Sequence, residues 1–156
     1  MTTPPPIAGN FSSYRRRLPH FRLEGATYLV NWRVHPSLPE LPERARSIVL
    51  QSLLHFNTKR YDLLGCVVMD DHVHLLLTPF EGWPLEKLVQ NWKSFSAHRI
   101  NKALDRSGPV WLEEYYDRIM RDDAEFREKL EYVYKNPMER WPERKEYPYL
   151  WIKELS

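Results

Sequence analysis

The chain has 156 residues, 42% of them hydrophobic and 28% charged, with one cysteine and a formal net charge of +2 at pH 7. That length suffices for one domain that buries its own core, the composition excludes wholesale disorder, and the lone Cys66 excludes an internal disulfide framework. No run approaches the roughly 18 continuous apolar residues of a membrane span, and the small net charge means that a nucleic-acid partner must be argued from where the cations sit.

In chain order, residues 1–13 are rich in Pro, Thr and Ser and read as a flexible segment without the apolar centre of a signal peptide, which leaves a cytoplasmic protein as the expectation. Residues 14–156 read as a single domain that includes the C-terminal tail. Its first feature is a dense cationic and aromatic cluster, Tyr14, Arg15, Arg16 and Arg17. The run ATYLVNWRV, Ala26 to Val34, is β-branched and aromatic and predicts a strand. Leu41, Ala45, Ile48, Val49, Ser52, Leu53 and Phe56 follow the 3.6-residue period of an amphipathic helix, with Arg44, Arg46, Ser47 and Gln51 facing away.

Two apolar strands follow, YDLLGCVVM and HVHLLLT, separated by Asp70 and Asp71, a spacing that predicts a tight hairpin without the usual glycine. Pro84 opens a second helix, with Leu85, Leu88, Val89, Trp92, Phe95, Ile100 and Leu104 as its apolar stripe. EEYYDRIM, Glu113 to Met120, predicts another strand. Asp122 with Glu125 three residues later resembles a capping box opening a last helix, which should stop near Asn136 because Pro137 disfavours a helical residue before it. The tail, with Trp141, Tyr147, Tyr149 and Trp151 among prolines, reads as irregular. The order β-α-β-β-α-β-α predicts an α+β fold, a ferredoxin-like or RRM-like sandwich with a mainly antiparallel sheet and helices packed on one face, leaving the other face for a site.

Two residues in MDDHVHLLL conflict with simple burial. Side chains alternate on a strand, so His72 and His74 share one face while Val73 and Leu75 fill the other. Two imidazoles so placed can hold a divalent metal with positions left open for substrate, and a hydrogen-bonded pair at a sheet surface fits the same pattern. A third ligand would come from Asp70, from Asp71 or from an amide of the last helix. In that helix Phe126, Leu130 and Val133 define the buried stripe, with Tyr134 beside it, whereas Tyr132 lies to one side and shares a ridge with Asn136 one turn later. Taken alone, Tyr132 is equally an amphipathic residue covering a helix edge.

His72-Val73-His74 after VVMDD, the helix WKSFSAHRIN, the segment SGPVWLEEYYDR and the block EYVYKNP, in this order and spacing, resemble the REP-associated tyrosine transposases, within the IS200-like superfamily of single-tyrosine, His-hydrophobic-His enzymes. The resemblance implies a metal-dependent endonuclease and strand transferase acting on single-stranded or hairpin DNA through a 5′-phosphotyrosine. It further implies Tyr132 as nucleophile, and His72, His74 and Asn136 as ligands of Mg²⁺ or Mn²⁺. REP-like hairpins would be the partner, Tyr14 and Arg15–Arg17 a DNA-binding arm, and a monomer the expected state, with a dimer as the alternative. Two departures stand out: Asp70-Asp71 replaces the usual Pro-Asn before the first histidine, and Glu139-Arg140-Trp141 replaces small residues after the Asn-Pro. The rival readings are a non-catalytic module that binds single strands on the same sheet, and a metal-dependent phosphodiesterase that uses water with Tyr132 structural.

Overall fold

The structure is a computed structural model and describes residues 25–154; the N-terminal segment and the arm Tyr14–Arg17 lie outside the described residues. Five strands, β1 (Tyr28–Val34), β2 (Tyr61–Val68), β3 (His72–Pro79), β4 (Trp111–Ile119) and β5 (Leu150–Ile152), form one antiparallel sheet in the order β4-β1-β3-β2-β5. Three helices, α1 (Glu43–His55), α2 (Leu85–Ala103) and α3 (Asp123–Arg140), complete an α+β fold. The α+β class and the antiparallel sheet are those expected. The tail adds a strand that the sequence reading missed: β5 pairs with β2, and Tyr147 buries its ring and donates its hydroxyl to the Val68 carbonyl. Three residues flanked by prolines carry too little pattern to announce a strand, and the exposed edge of β2 supplies the hydrogen-bonding template.

The helices do not share one face. Val30, Trp32, Cys66, Val68, Val73, Leu75 and Leu77 pack against Ala45, Ile48, Val49 and Leu53 of α1 and Leu88, Val89, Trp92 and Ile100 of α2. Val67, Met69 and Leu76 point the opposite way, onto Phe126, Leu130, Val133 and Tyr134 of α3. Adjacent strand residues face opposite sides, so α3 lies across the sheet from α1 and α2. The central strands are therefore apolar on both faces, and that double burial leaves the order of elements intact while moving one helix to the site's side.

Trp32 is fully buried at the centre of the first layer, stacked on Trp92 at 6.1 Å and edge-on to Trp111 at 5.9 Å. Tyr61 ties this layer together: its hydroxyl donates to the Leu53 carbonyl at 2.6 Å and accepts from Trp92 Nε1 at 3.1 Å. Cys66 is a core residue, and burial pushes its thiol up. Two side chains depart from the helical period. Arg46 is buried because its Nε donates to the Leu41 carbonyl and its guanidinium lies over Trp141, and Phe95 is half exposed, with Arg99 against its ring.

The hairpin between β2 and β3 closes with Asp70 and Asp71 and without positive φ at either, so it is not a primed turn. Other elements hold it instead, since its carbonyls accept from Leu41 N at 2.7 Å and Val34 N at 2.9 Å. Helix α3 starts as expected, with the Asp122 carboxylate accepting from Glu125 N at 2.8 Å. It does not stop at Asn136; it passes through buried Pro137 to Arg140, where Trp141 N donates to the Pro137 carbonyl. Proline forfeits one helical hydrogen bond, and tertiary contacts of this last turn override that local cost: Arg140 pairs with Asp70, and Trp141 stacks on Tyr147.

α3 approaches β2 most closely at Gly65, where a register shift between Leu63 and Gly65 marks a bulge. A Cβ there would stand 2.8 Å from Leu130 Cδ1 and 3.0 Å from Ile152 Cδ1. Gly65→Ala is therefore expected to destabilise the fold by about 1–3 kcal/mol through overpacking, read as a lower urea midpoint at unchanged slope.

Candidate active site

β3 is held between β1 and β2, which fixes the direction of every side chain along it. His72 and His74 share the face on which α3 lies, and their ring centroids are 4.5 Å apart at 79°. α3 brings Tyr132 to the same place: its ring centroid is 5.3 Å from that of His74, edge to face. Tyr132 remains 45% exposed, whereas Tyr134 is buried in the core beneath α3, the division predicted from the helical period. Asn136 lies one turn beyond Tyr132 on the same ridge and is nine-tenths buried.

The two histidines have different surroundings. The Asp71 carboxylate accepts from His72 Nδ1 at 2.5 Å, which fixes the ring and leaves Nε2 directed elsewhere. Burial works to raise the Asp71 carboxyl, but the His72 hydrogen bond and the charges of His72, Arg140 and Arg33 outweigh it and hold the group below its ordinary range. The Nδ1 of His74 is buried and has no hydrogen-bond partner. Burial, reinforced by His72 and Arg33 and opposed by Asp71, pushes its pKa down to about 3, so the ring is neutral at pH 7 with a lone pair available.

Asp71 is committed to His72, and Asp70 is buried, with Oδ2 accepting from Arg140 Nη2 at 2.6 Å and Oδ1 without a hydrogen-bond partner. Among the described residues, no group of three or more His, Cys, Asp or Glu side chains is arranged to hold an ion. What the site offers is two imidazoles, one oriented by a carboxylate and one with an orphaned buried nitrogen, an orphaned Asp70 oxygen in the adjoining turn, and an amide on the neighbouring helix ridge. Those donors fit a borderline ion that keeps positions open to oxygen ligands.

Three cations of α2 lie away from the histidines. Lys93 is tied by its ammonium to the Leu112 and Glu113 carbonyls, and Arg99 and Lys102 border a cleft against α1, on the face opposite the histidines. A cleft of about 610 Å³ between α1 and α2, lined by Phe56, Trp92, Phe95 and His98, also lies on that opposite face. Arg140 escaped the sequence reading because its partner Asp70 is 70 residues away and nothing local signals the pair.

The family described as Transposase IS200 like matches residues 40–136, most of the described chain and all four site positions. The chain belongs to the IS200-like transposase family. A Haemophilus influenzae protein described as a REP-associated tyrosine transposase is 22% identical over 140 residues, covering 81% of this chain and 76% of that one. Among solved structures, a REP-associated tyrosine transposase bound to a REP hairpin superposes with a TM-score of 0.61 at 16% identity, covering 88% of this chain and 92% of that one. A transposase from Deinococcus radiodurans gives a TM-score of 0.50 at 19% identity, over 70% of this chain and 89% of that one. At these identities the superpositions establish the shared fold.

The depressed His74 pKa has a consequence for stability. The unfolded chain protonates this histidine near pH 6.5, and the fold refuses the proton until about pH 3, so stability falls as pH drops through that window. In metal-free buffer with EDTA, the unfolding free energy from urea titration should fall by about 2 kcal/mol from this group between pH 7 and pH 5, and His74→Gln should remove that portion of the slope.

Proposed function

We propose that this transposase-family DNA-processing protein is a metal-dependent endonuclease and strand transferase for single-stranded or hairpin DNA, with Tyr132 as nucleophile. The observation that carries the reading is the Tyr132 ring standing 5.3 Å from one of two histidines whose own rings are 4.5 Å apart. A half-exposed phenol on a helix ridge, beside a pair of imidazoles on a rigid central strand, is what attack on a phosphodiester requires. The hairpin in the structurally similar REP-associated enzyme supports a REP-like hairpin as the DNA partner. Among the described residues no helix is long and apolar enough to cross a membrane.

His72, His74 and Asn136 would hold the divalent ion, Mg²⁺ or Mn²⁺, with imidazole favouring Mn²⁺. When bound, the ion would withdraw charge from the scissile phosphate and ease departure of the leaving oxygen. Tyr132 Oη attacks phosphorus, the bond to the 3′ oxygen breaks, and the products are a 5′-phosphotyrosyl link and a free 3′-hydroxyl; the phenolic proton passes to solvent, to which the ring is open. The phosphoester energy stays in the covalent link, so reversal onto another 3′-hydroxyl joins strands without a nucleotide cofactor. Asp71 acts through His72, holding its tautomer and orientation. We take a monomer as the working unit.

End-labelled hairpin and single-stranded DNA, incubated with Mn²⁺, Mg²⁺ or EDTA and run on a denaturing protein gel, tests this. Label should travel with the protein when metal is present and disappear in Tyr132→Phe, while DNA binding persists. Cleaved DNA without protein-linked label would identify water as the nucleophile, and binding without cleavage would identify a binding module.

A further inference from the structure

Among the described residues, the sheet face beside the histidines is only partly covered. α3 lies over β2, β3 and β5, and its first turn reaches β4 at Arg118, which donates to Glu125 at 2.8 Å. Beyond that contact, register places Tyr116 of β4 directly opposite Asn31 of β1, and Asn31 directly opposite His74 of β3. Paired positions on neighbouring strands share a face, so Tyr116, Asn31 and His74 form one row across three strands. Alternation agrees, since Tyr115 packs into the core on the other side. Tyr116 is 62% exposed, the most exposed of the large hydrophobic side chains described, and has no ring partner among the described residues. Strands about 4.8 Å apart put its backbone about 10 Å from that of His74, roughly the reach of one or two nucleotides of an extended strand.

We propose that Tyr116 and Asn31 form a binding subsite for an unpaired base flanking the scissile phosphate, with Tyr116 as the stacking platform. This rests on the assignment of the His72, His74 and Tyr132 cluster as the cleavage site. The charge distribution favours a base over a phosphate at this end. Glu114, two residues back on β4, is an exposed carboxylate, and Arg118 is already committed to Glu125. Arg33, the next same-face position along β1, lies opposite His72 and pairs only loosely, at 4.0 Å, with Asp71, so its positive charge is at the phosphate end of the row. An exposed tyrosine supplies a sequence-tolerant stacking face, and the Asn31 amide beside it offers both a donor and an acceptor to a base edge. Tyr116 is thus a positioning residue: it holds the flank of the strand beside the scissile phosphate without touching the reacting atoms.

The test combines protein and DNA changes. Wild type, Tyr116→Phe and Tyr116→Ala are titrated against hairpin DNA carrying a single-stranded flank, in which each flank nucleotide in turn is made abasic, with binding read by fluorescence anisotropy in EDTA. Single-turnover adduct formation in Mn²⁺ is measured in parallel. Tyr116→Ala should weaken binding about 5- to 100-fold, Tyr116→Phe should restore it, and the Ala penalty should vanish when one particular nucleotide is abasic. Saturating DNA should recover the adduct rate in Tyr116→Ala, because the loss is in binding. An Ala variant equal to wild type, or a penalty that persists at every abasic position, overturns the subsite. Failure of wild type to form any adduct would instead sink the nuclease assignment, and the binding titration would still judge the subsite.

Discussion

Everything about the site follows from how closely α3 can lie on the sheet. Leu130 reaches the position that a side chain at residue 65 would occupy, and this contact sets the height of Tyr132 over His74, two residues further along the helix. The same packing buries Leu76 and Val67 beneath α3, so the strand that carries the histidines is anchored by apolar contacts on both faces. A rigid strand is the right support for two rings that must converge, because a strand buried on both sides has no freedom to slip its register. The polar pair then occupies positions at the rim of α3, where the apolar layer gives way to solvent.

Charge pairs clamp the helix at its two ends. Near its start, the Glu125 carboxylate collects Arg118 of β4 and Arg121 and is held down to a pKa of about 2, chiefly by the Arg118 hydrogen bond. At its end, Arg140 pairs with Asp70 in the turn that precedes His72. The structure brings Asp70 and Arg140, 70 residues apart, into one ion pair, and the arginine fastens the end of α3, the helix that carries Tyr132, to the turn before His72. Asp71, the other aspartate of that turn, is the carboxylate that orients His72.

The two faces of the sheet divide the labour. α1 and α2 cover one face with the tryptophan and tyrosine network that carries much of the core, and the enclosed cleft between them is remote from the histidines. Among the described residues the opposite face is half covered, and its open half, across β1 and β4, carries Asn31, Arg33 and Tyr116 beside the two histidines. An extended nucleic-acid strand fits an open sheet better than an enclosed cavity, because its bases and phosphates must be met along a line.

Elements whose signal is local were legible in the sequence. The strand alternation that puts His72 and His74 on one face, the helical period that separates Tyr132 from Tyr134, and the cap at Asp122 all depend on residues within one or two turns of each other. Motif order and spacing then pointed to the family, and to which of these residues could act together. The tertiary structure alone decided which face α3 takes, that its last turn passes through Pro137, that the tail supplies a fifth strand, and that Asp70 and Arg140 meet. Each of these is a contact between segments far apart in the chain, chosen by shape and by compensation of buried charge, and neither periodicity nor local propensity encodes such a choice.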